Sequence, residues 1–294
     1  MLRHIASLLY KTGLIRPAYL ALTLLRGLHP RSLVRSLRFI LKGSPDGLPI
    51  PPFWLRVQVA GTIDAGEFYH SGVADAQTIS GILRHRDVDI QSLAAILDFG
   101  CGCGRVIRHL PSKTQAELFG TDQSAKLITW CRSNLPLATF GINRLEPPLD
   151  YPDGKFDLIY ALSVFTHLPA QLQTKWMDEF RRLLRGGGYL LLSTHGEHQL
   201  GVLSDQEKAM FRNGQLVVKR PGSAGSNYCV SYHPETYVRD HLARGFDVID
   251  FVPQGATGTA CQDLYLLELD RRLPRSDTVA AESTSIDPGT ITTP

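Results

Sequence analysis

Between Ala95 and Ile107 the chain reads Ala-Ile-Leu-Asp-Phe-Gly-Cys-Gly-Cys-Gly-Arg-Val-Ile, a run in which three residue types could act on one ligand. Gly100, Gly102 and Gly104 make a tight turn of bare backbone, so a ligand can lie against peptide groups instead of side chains. Cys101 and Cys103 are small enough for the same turn. Asp98 places a carboxylate just ahead of the glycines, where it repels a pyrophosphate and attracts a cation. Arg105 stands where a dinucleotide fingerprint needs its third glycine. Its guanidinium can meet a ligand carboxylate or simply lie on the surface. A second acid, Asp122, closes the run Ala116–Asp122, 22 positions after Gly100. A carboxylate about 20 residues beyond such a turn is the usual partner of a ribose diol, and Gln123 follows it.

A cationic ligand fits these acids. S-adenosylmethionine carries both an ammonium and a sulfonium, so it suits Asp98 and a short glycine turn better than NAD does. The plainer alternative is an ordinary strand–turn–helix with a solvated Asp.

The elements that must position these groups follow from the pattern. Ile96, Leu97 and Phe99 end a buried strand, and Val106, Ile107 and Leu110 are spaced for one face of a helix after the turn. Strand and helix then alternate, which predicts a mostly parallel sheet. A helix is expected over 124–134, burying Leu127, Ile128 and Cys131. Phe156–Leu162 reads as the fourth strand. Pro169–Arg185 carries Leu172, Trp176, Phe180 and Leu183 on one stripe, and Gly186-Gly187-Gly188 is expected to stop it. Tyr189–Thr194 is the fifth strand. A helix starts at Pro234, and Phe246–Val252 and Asp263–Leu269 close the sheet.

The glycine motif and the second-strand acid resemble those of the class I S-adenosylmethionine-dependent methyltransferases, over residues 95–269. The resemblance implies a Rossmann-like, mostly parallel seven-stranded sheet with an antiparallel last strand and helices on both faces. It implies cofactor contacts at Asp98, Gly100, Cys101, Gly102, Gly104, Arg105, Asp122, Gln123, Asn143 and Ser163. Asn143, after the third strand, would edge the adenine, or is a turn Asn. Helices before the core would roof the cofactor, with Phe68, Tyr69 and Gly72 as candidates against a core role for the aromatics. Methyl transfer is an in-line displacement, and an oxygen nucleophile benefits from a general base. His195 and His167 are the candidates, with His233 beside Pro234 as a capping alternative. His195, after the fifth strand, is expected to face the crevice. His167 reads either as a base or as a bonded helix-start histidine. Where a metal-assisted O-methyltransferase branch carries two glutamates before a histidine, this chain has Ser163 and Thr166, so no metal site is expected. The segments Pro147–Leu149, Ser163–Leu168 and Gln262–Tyr265 are similar to bacterial methyltransferases acting on envelope glycans and glycolipids. The expected activity is O-methylation of a glycan, glycolipid or small-molecule hydroxyl. A non-catalytic cofactor-binding scaffold and a nucleic-acid methyltransferase are the alternatives.

Domain organisation is expected as a basic arm and linker (1–48), a helical cap (49–94), the core (95–270) with an insertion at 196–230 as substrate cover, and a disordered tail (271–294). In the insertion, Ser204-Asp205-Gln206-Glu207 is a capping box. The first 45 residues hold eight Lys/Arg and no Asp/Glu, and the remaining chain has 23 basic against 28 acidic residues. The body is therefore mildly acidic, which argues against nucleic acid as the partner. In the arm, Leu33, Val34, Leu37, Ile40 and Leu41 recur at helical spacing, with Arg31, Arg35, Arg38 and Lys42 on the other side. Such a helix can rest on an anionic membrane or pack on its own fold or a second subunit. Ala18–Leu25 is too short to span a bilayer. The five cysteines, an odd number without repeating spacing, fit a reducing compartment. A cytoplasmic location, at the inner face of a membrane if the arm binds lipid, is the expectation.

Overall fold

The computed structural model describes residues 30–258 and 261–270; Ala18–Leu25 and the residues after 270 lie outside them. The first five strands are β1 Ala95–Phe99, β2 Glu117–Asp122, β3 Thr139–Ile142, β4 Phe156–Ala161 and β5 Leu184–Thr194. β6 Val217–Lys219 and β7 Val230–Tyr232 form a separate hairpin, and β8 Phe246–Ala256 and β9 Gln262–Leu269 complete the main sheet. That sheet has seven strands in the order β3-β2-β1-β4-β5-β9-β8. β1 to β5 pair in parallel, while β9 runs antiparallel to both β5 and β8. This is the expected Rossmann-like sheet. Every residue of β1 and of β4 is buried, as central strands covered on both faces must be. One face of the sheet holds Leu97, Phe99 and Ile159 against Trp176 and Phe180. The other holds Ile96, Leu158 and Tyr160 against Ile79, Leu83 and Ile107. The strand order reverses between β1 and β4, so a crevice opens at their carboxyl ends.

The helices are α1 Pro30–Lys42, α2 Phe53–Ala60, α3 Ala65–His85, α4 Ala125–Asn134, α5 Ala170–Leu183, α6 Asp205–Arg212 and a short α7 Glu235–Tyr237. Gly61, at φ 65°, ends α2 with a left-handed cap. Asp64 then starts α3 by accepting from the Gly66 and Glu67 N–H groups. The capping box at Ser204 and Glu207 is present and starts α6. The segment before α2 is tied down by Arg108, which donates to both Asp46 carboxylate oxygens and to the Leu48 and Pro49 carbonyls.

Three elements differ from expectation. The glycine turn leads into a short 3-10 segment, Ile107–Ser112, not an α-helix, because Pro111 lacks an N–H and its ring excludes the preceding turn's carbonyl. The triple glycine does not end α5. Phe156 pairs with Leu184 and Leu158 with Tyr189, so the strand absorbs three extra residues as a bulge around Gly187, at φ 75°. After α7 the chain widens into a π-helical turn, Val238–Leu242, instead of continuing as α-helix.

Candidate cofactor and acceptor site

A cavity of about 1090 Å³ occupies the crevice. Asp98, Gly100, Cys101 and Gly102 form its floor, and Asp122, Gln123 and Asn143 one wall. Ser163 and His167, beyond β4, form the opposite wall. Trp54 to Val59 of α2 and Ala224–Tyr228 of the insertion close it above. The volume reaches the upper end of the roughly 300–1,000 Å³ typical of small-molecule sites. A cofactor and an acceptor have room together.

The floor is set by backbone bonds. The Gly100 and Cys101 N–H groups both donate to the Thr121 carbonyl, at 2.8 and 2.9 Å. Asp122 accepts from Gly102 N at 3.0 Å through one oxygen and from Ser124 N at 2.8 Å through the other. Burial raises the Asp122 pKa, with these two N–H groups opposing the rise. Each oxygen keeps a lone pair, so the carboxylate can still accept from a ribose diol. Gly100 is needed twice over: its φ is 79°, and a Cβ there would overlap a Val164 methyl. Gly104 does not line the cavity; it packs against Leu135 at the end of α4. Cys101 and Cys103 are buried thiols, and burial pushes both pKa values up. Cys131 donates to the Gly102 carbonyl at 3.5 Å and so steadies the turn.

Asp98 is 4% exposed, and its Oδ2 has no hydrogen-bond partner. Burial raises its pKa to about 7, against the Tyr160 hydroxyl and Arg105, which pull it down. An unpartnered buried carboxylate oxygen on the floor of a cavity has the chemistry to accept from a cation. The charged form binds an ammonium, so S-adenosylmethionine affinity should fall as pH drops through 7. Calorimetry at pH 8 and pH 6 should differ by about tenfold, and Asp98→Asn should remove the difference. Equal affinities at both pH values would take the cation away from Asp98. In the cofactor-free protein the sign for stability is opposite. A raised carboxyl destabilises the fold once it ionises, so Asp98's penalty is absent below the unfolded pKa and complete above about 7.

Arg105 lines the cavity and does not lie on the surface. Its guanidinium is buried and bound to Asp75 at 2.7 Å. Asn143 lines the cavity and donates to the Arg144 carbonyl at 2.7 Å, leaving a buried Oδ1 without a partner. Ser163 sits at φ 60°, donates its N–H to Ser193 Oγ at 2.7 Å, and accepts from Gln262 Nε2 at 2.9 Å. Gln262, at the start of β9, is a site-supporting residue that the sequence marked only as part of the Gln262–Tyr265 resemblance, without a role.

The three histidines separate sharply. His167 is on the cavity wall, with Nδ1 2.8 Å from the Cys229 carbonyl. That acceptor fixes the proton on Nδ1 and leaves the Nε2 lone pair available. Burial lowers the His167 pKa and the Cys229 carbonyl opposes the shift. His195 is not among the cavity-lining residues, contrary to the expectation for a residue following the fifth strand. Its backbone is pinned to the insertion hairpin, where it bridges Tyr232 and accepts from His233 N. Its Nε2 lies 3.2 Å from Gln262 Nε2, and burial, with His167 nearby, lowers its pKa to about 4. His233 is wholly buried, 2.9 Å from Gln173 Nε2, and burial pushes it down to about 3.

A helix before the core does border the cavity, but it is α2, and Phe68, Tyr69 and Gly72 do not line it. Phe68 packs in the core with Leu55, Cys103 and Leu127, Tyr69 stacks edge-on with His109, and Gly72 lies against the Arg105 carbonyl. α2 takes their place above the cavity. The bonds that hold the insertion over it include Gln123 Nε2 to the Gly225 carbonyl, Gly225 N to the His167 carbonyl, Asn227 Nδ2 to the Gln58 carbonyl, and the His167 Nδ1 contact with the Cys229 carbonyl. Among the described residues no three His, Cys, Asp or Glu side chains gather to hold a metal ion. Thr166 is buried and donates to the Ser163 carbonyl. Among the described residues, too, no helix is long and apolar enough to cross a membrane.

Residues 96–188 match the family model described as a methyltransferase domain. With the sheet order and the floor of the cavity, this places the domain among the class I S-adenosylmethionine-dependent methyltransferases, and S-adenosylmethionine is its cofactor. The chain is 28% identical to a probable chloroplastic tocopherol O-methyltransferase of Oryza sativa, over 44% of this chain and 41% of that one. It is 25% identical to a sphingolipid C9-methyltransferase of Candida albicans, over 47% of this chain and 28% of that one. The matched regions thus span less than half the length of these relatives. A solved structure from Pyrococcus horikoshii superimposes with a TM-score of 0.51 at 17% identity, over 69% of this chain and 91% of that one. An S-adenosylmethionine-dependent methyltransferase from Clostridium acetobutylicum gives 0.50 at 15%, over 67% and 92%. Both show the shared fold.

Proposed function

We propose that the protein O-methylates a hydroxyl on an acceptor with an apolar body, without a metal ion. The cavity supports cofactor binding by chemistry as well as by shape. It has an unpartnered acceptor at Asp98, a second at Asn143 Oδ1, and bare backbone at Gly100 and Gly102. S-adenosylmethionine supplies an electrophilic methyl group there. The observation that carries the acceptor half is His167, a residue of the cavity wall whose tautomer is fixed by Cys229, leaving Nε2 as the nitrogen with a free lone pair. A neutral imidazole in that position accepts the proton of a hydroxyl as the oxygen becomes a nucleophile. Trp54, Leu145, Leu162, Val164 and Leu168 line the same space and suit a hydrocarbon skeleton. Relatives named for tocopherol and for a sphingolipid support the lipophilic end of the expected range, a glycolipid or small-molecule hydroxyl.

The test is transfer of labelled methyl from S-adenosylmethionine to a panel of prenylated phenols, glycolipids, free glycans and RNA. Label should enter the lipophilic hydroxyl compounds, and turnover should persist in chelator. Label confined to RNA or to an amine would replace the acceptor assignment. Cofactor binding with no turnover on any of them would favour the scaffold alternative. Loss of turnover in chelator, restored by magnesium or zinc, would overturn the metal-free mechanism.

A further inference from the structure

The surface of α1 is inverted for a helix of a globular protein. Its body-facing side is a serine and one aromatic ring. Ser36 Oγ donates to the Ile63 carbonyl at 3.3 Å and accepts from Ala65 N at 3.1 Å, and Phe39 packs 5.5 Å from the Tyr69 ring. Arg35 adds an ion pair to Asp64 at 3.1 Å. Its aliphatic side chains instead face outward, with Leu33 42%, Val34 47%, Leu37 56%, Ile40 48% and Leu41 77% exposed. At 3.6 residues per turn these five form one continuous stripe, and Arg35, Arg38 and Lys42 form the stripe beside it. α2 is tied to the same Ile63 carbonyl through Arg56 and carries the exposed Phe53 and Trp54, the latter also part of the cavity wall. Isolated exposed leucines need no explanation; an apolar stripe flanked by a cationic one does.

We infer that α1 docks the protein on an anionic lipid surface, with its aliphatic stripe in the headgroup region and Arg38 and Lys42 against lipid phosphates. The charge pattern selects this occupant. The chain after residue 45 has 23 basic against 28 acidic residues and offers anionic lipid no net attraction, whereas this helix has no acid at all, so the attraction is local to the apolar stripe. Docking here would present the cavity mouth at Trp54 to the interface, where a lipophilic acceptor resides; that consequence rests on the proposed function, whereas docking itself does not.

Flotation of the full chain with phosphatidylcholine vesicles, with and without phosphatidylglycerol, reads docking without any acceptor. Binding is expected only with phosphatidylglycerol and should weaken with salt. Leu37→Glu with Leu41→Glu should lower partitioning at least about tenfold. Arg38→Glu with Lys42→Glu should do the same and remove the salt dependence. Calorimetric affinity for S-adenosylhomocysteine should be unchanged in both, which controls for folding. Absence of wild-type flotation, or equal flotation of either double variant, overturns the proposal. So does sedimentation velocity showing a dimer that the leucine variant splits, because the stripe would then join two copies of the chain. Failure of methyl transfer with flotation intact would count against the acceptor assignment alone.

Discussion

Asp75→Ala will destabilise the fold by about 3–5 kcal/mol, the cost of stranding a buried charge. Asp75 is fully buried and Arg105 is 8% exposed. The carboxylate accepts from the guanidinium at 2.7 Å and from Gly258 N at 3.0 Å. It thereby joins α3, the glycine turn and the end of β8. Removing Asp75 leaves a guanidinium that cannot neutralise itself in a space too enclosed to solvate it. Denaturant unfolding of Asp75→Ala, Arg105→Met and the double variant measures this. The double should recover much of the loss, since its cavity holds no unpaired charge. A cost under about 1 kcal/mol would mean that water reaches the pair, as at a surface bridge. Cofactor affinity separates structure from ligation. If Arg105 serves Asp75, the double variant binds S-adenosylmethionine as the wild type does, whereas a selective loss of affinity would return Arg105 to the cofactor carboxylate.

The parts of the site legible in the sequence were those made by neighbours in the chain. Asp98 and its glycine turn are one continuous segment, and Asp122 follows by the fixed length of a strand–turn–strand unit. The mostly parallel sheet came from the alternation of strand and helix, and its seven strands and antiparallel last strand from a family resemblance. What escaped were choices made by distant partners. Arg105 looked available because Asp75 lies 30 positions earlier, in a helix whose docking on the turn no local pattern encodes. Of the three histidines the sequence put His195 first, as the residue expected to face the crevice, and had no means to see which one the fold would bring to the wall. Cys229, Gln262 and Gln173 distinguish them, and each is brought in by an element at least 60 positions away. Only for Pro111 was the missed outcome written locally, since a proline four residues after Ile107 already forbids a long helix there.

His167→Ala should lower turnover by about 10²–10⁴-fold, the usual contribution of a positioned general base, while leaving cofactor affinity close to wild type. His167 lines the cavity and is linked to the insertion twice, by its side chain to the Cys229 carbonyl and by its own carbonyl, which accepts from Gly225 N. Truncation removes the base and the Cys229 bond, while the Gln123–Gly225, Gly225–His167 backbone and Asn227–Gln58 bonds of the roof do not use the imidazole. The pH profile gives the more specific signature. A base must be neutral to act, and burial lowers the His167 pKa below its ordinary 6.5. At saturating S-adenosylmethionine, which takes the Asp98 equilibrium out of kcat, wild-type turnover should be level above pH 6.5 and fall only on the acid side. That acid limb should be missing from the residual activity of His167→Ala. His195→Ala, which removes a side chain outside the cavity, should retain the limb. Should His195→Ala abolish the limb and His167→Ala keep it, the proton would be taken through the Gln262 network, and His167 would be a wall of the cavity and nothing more.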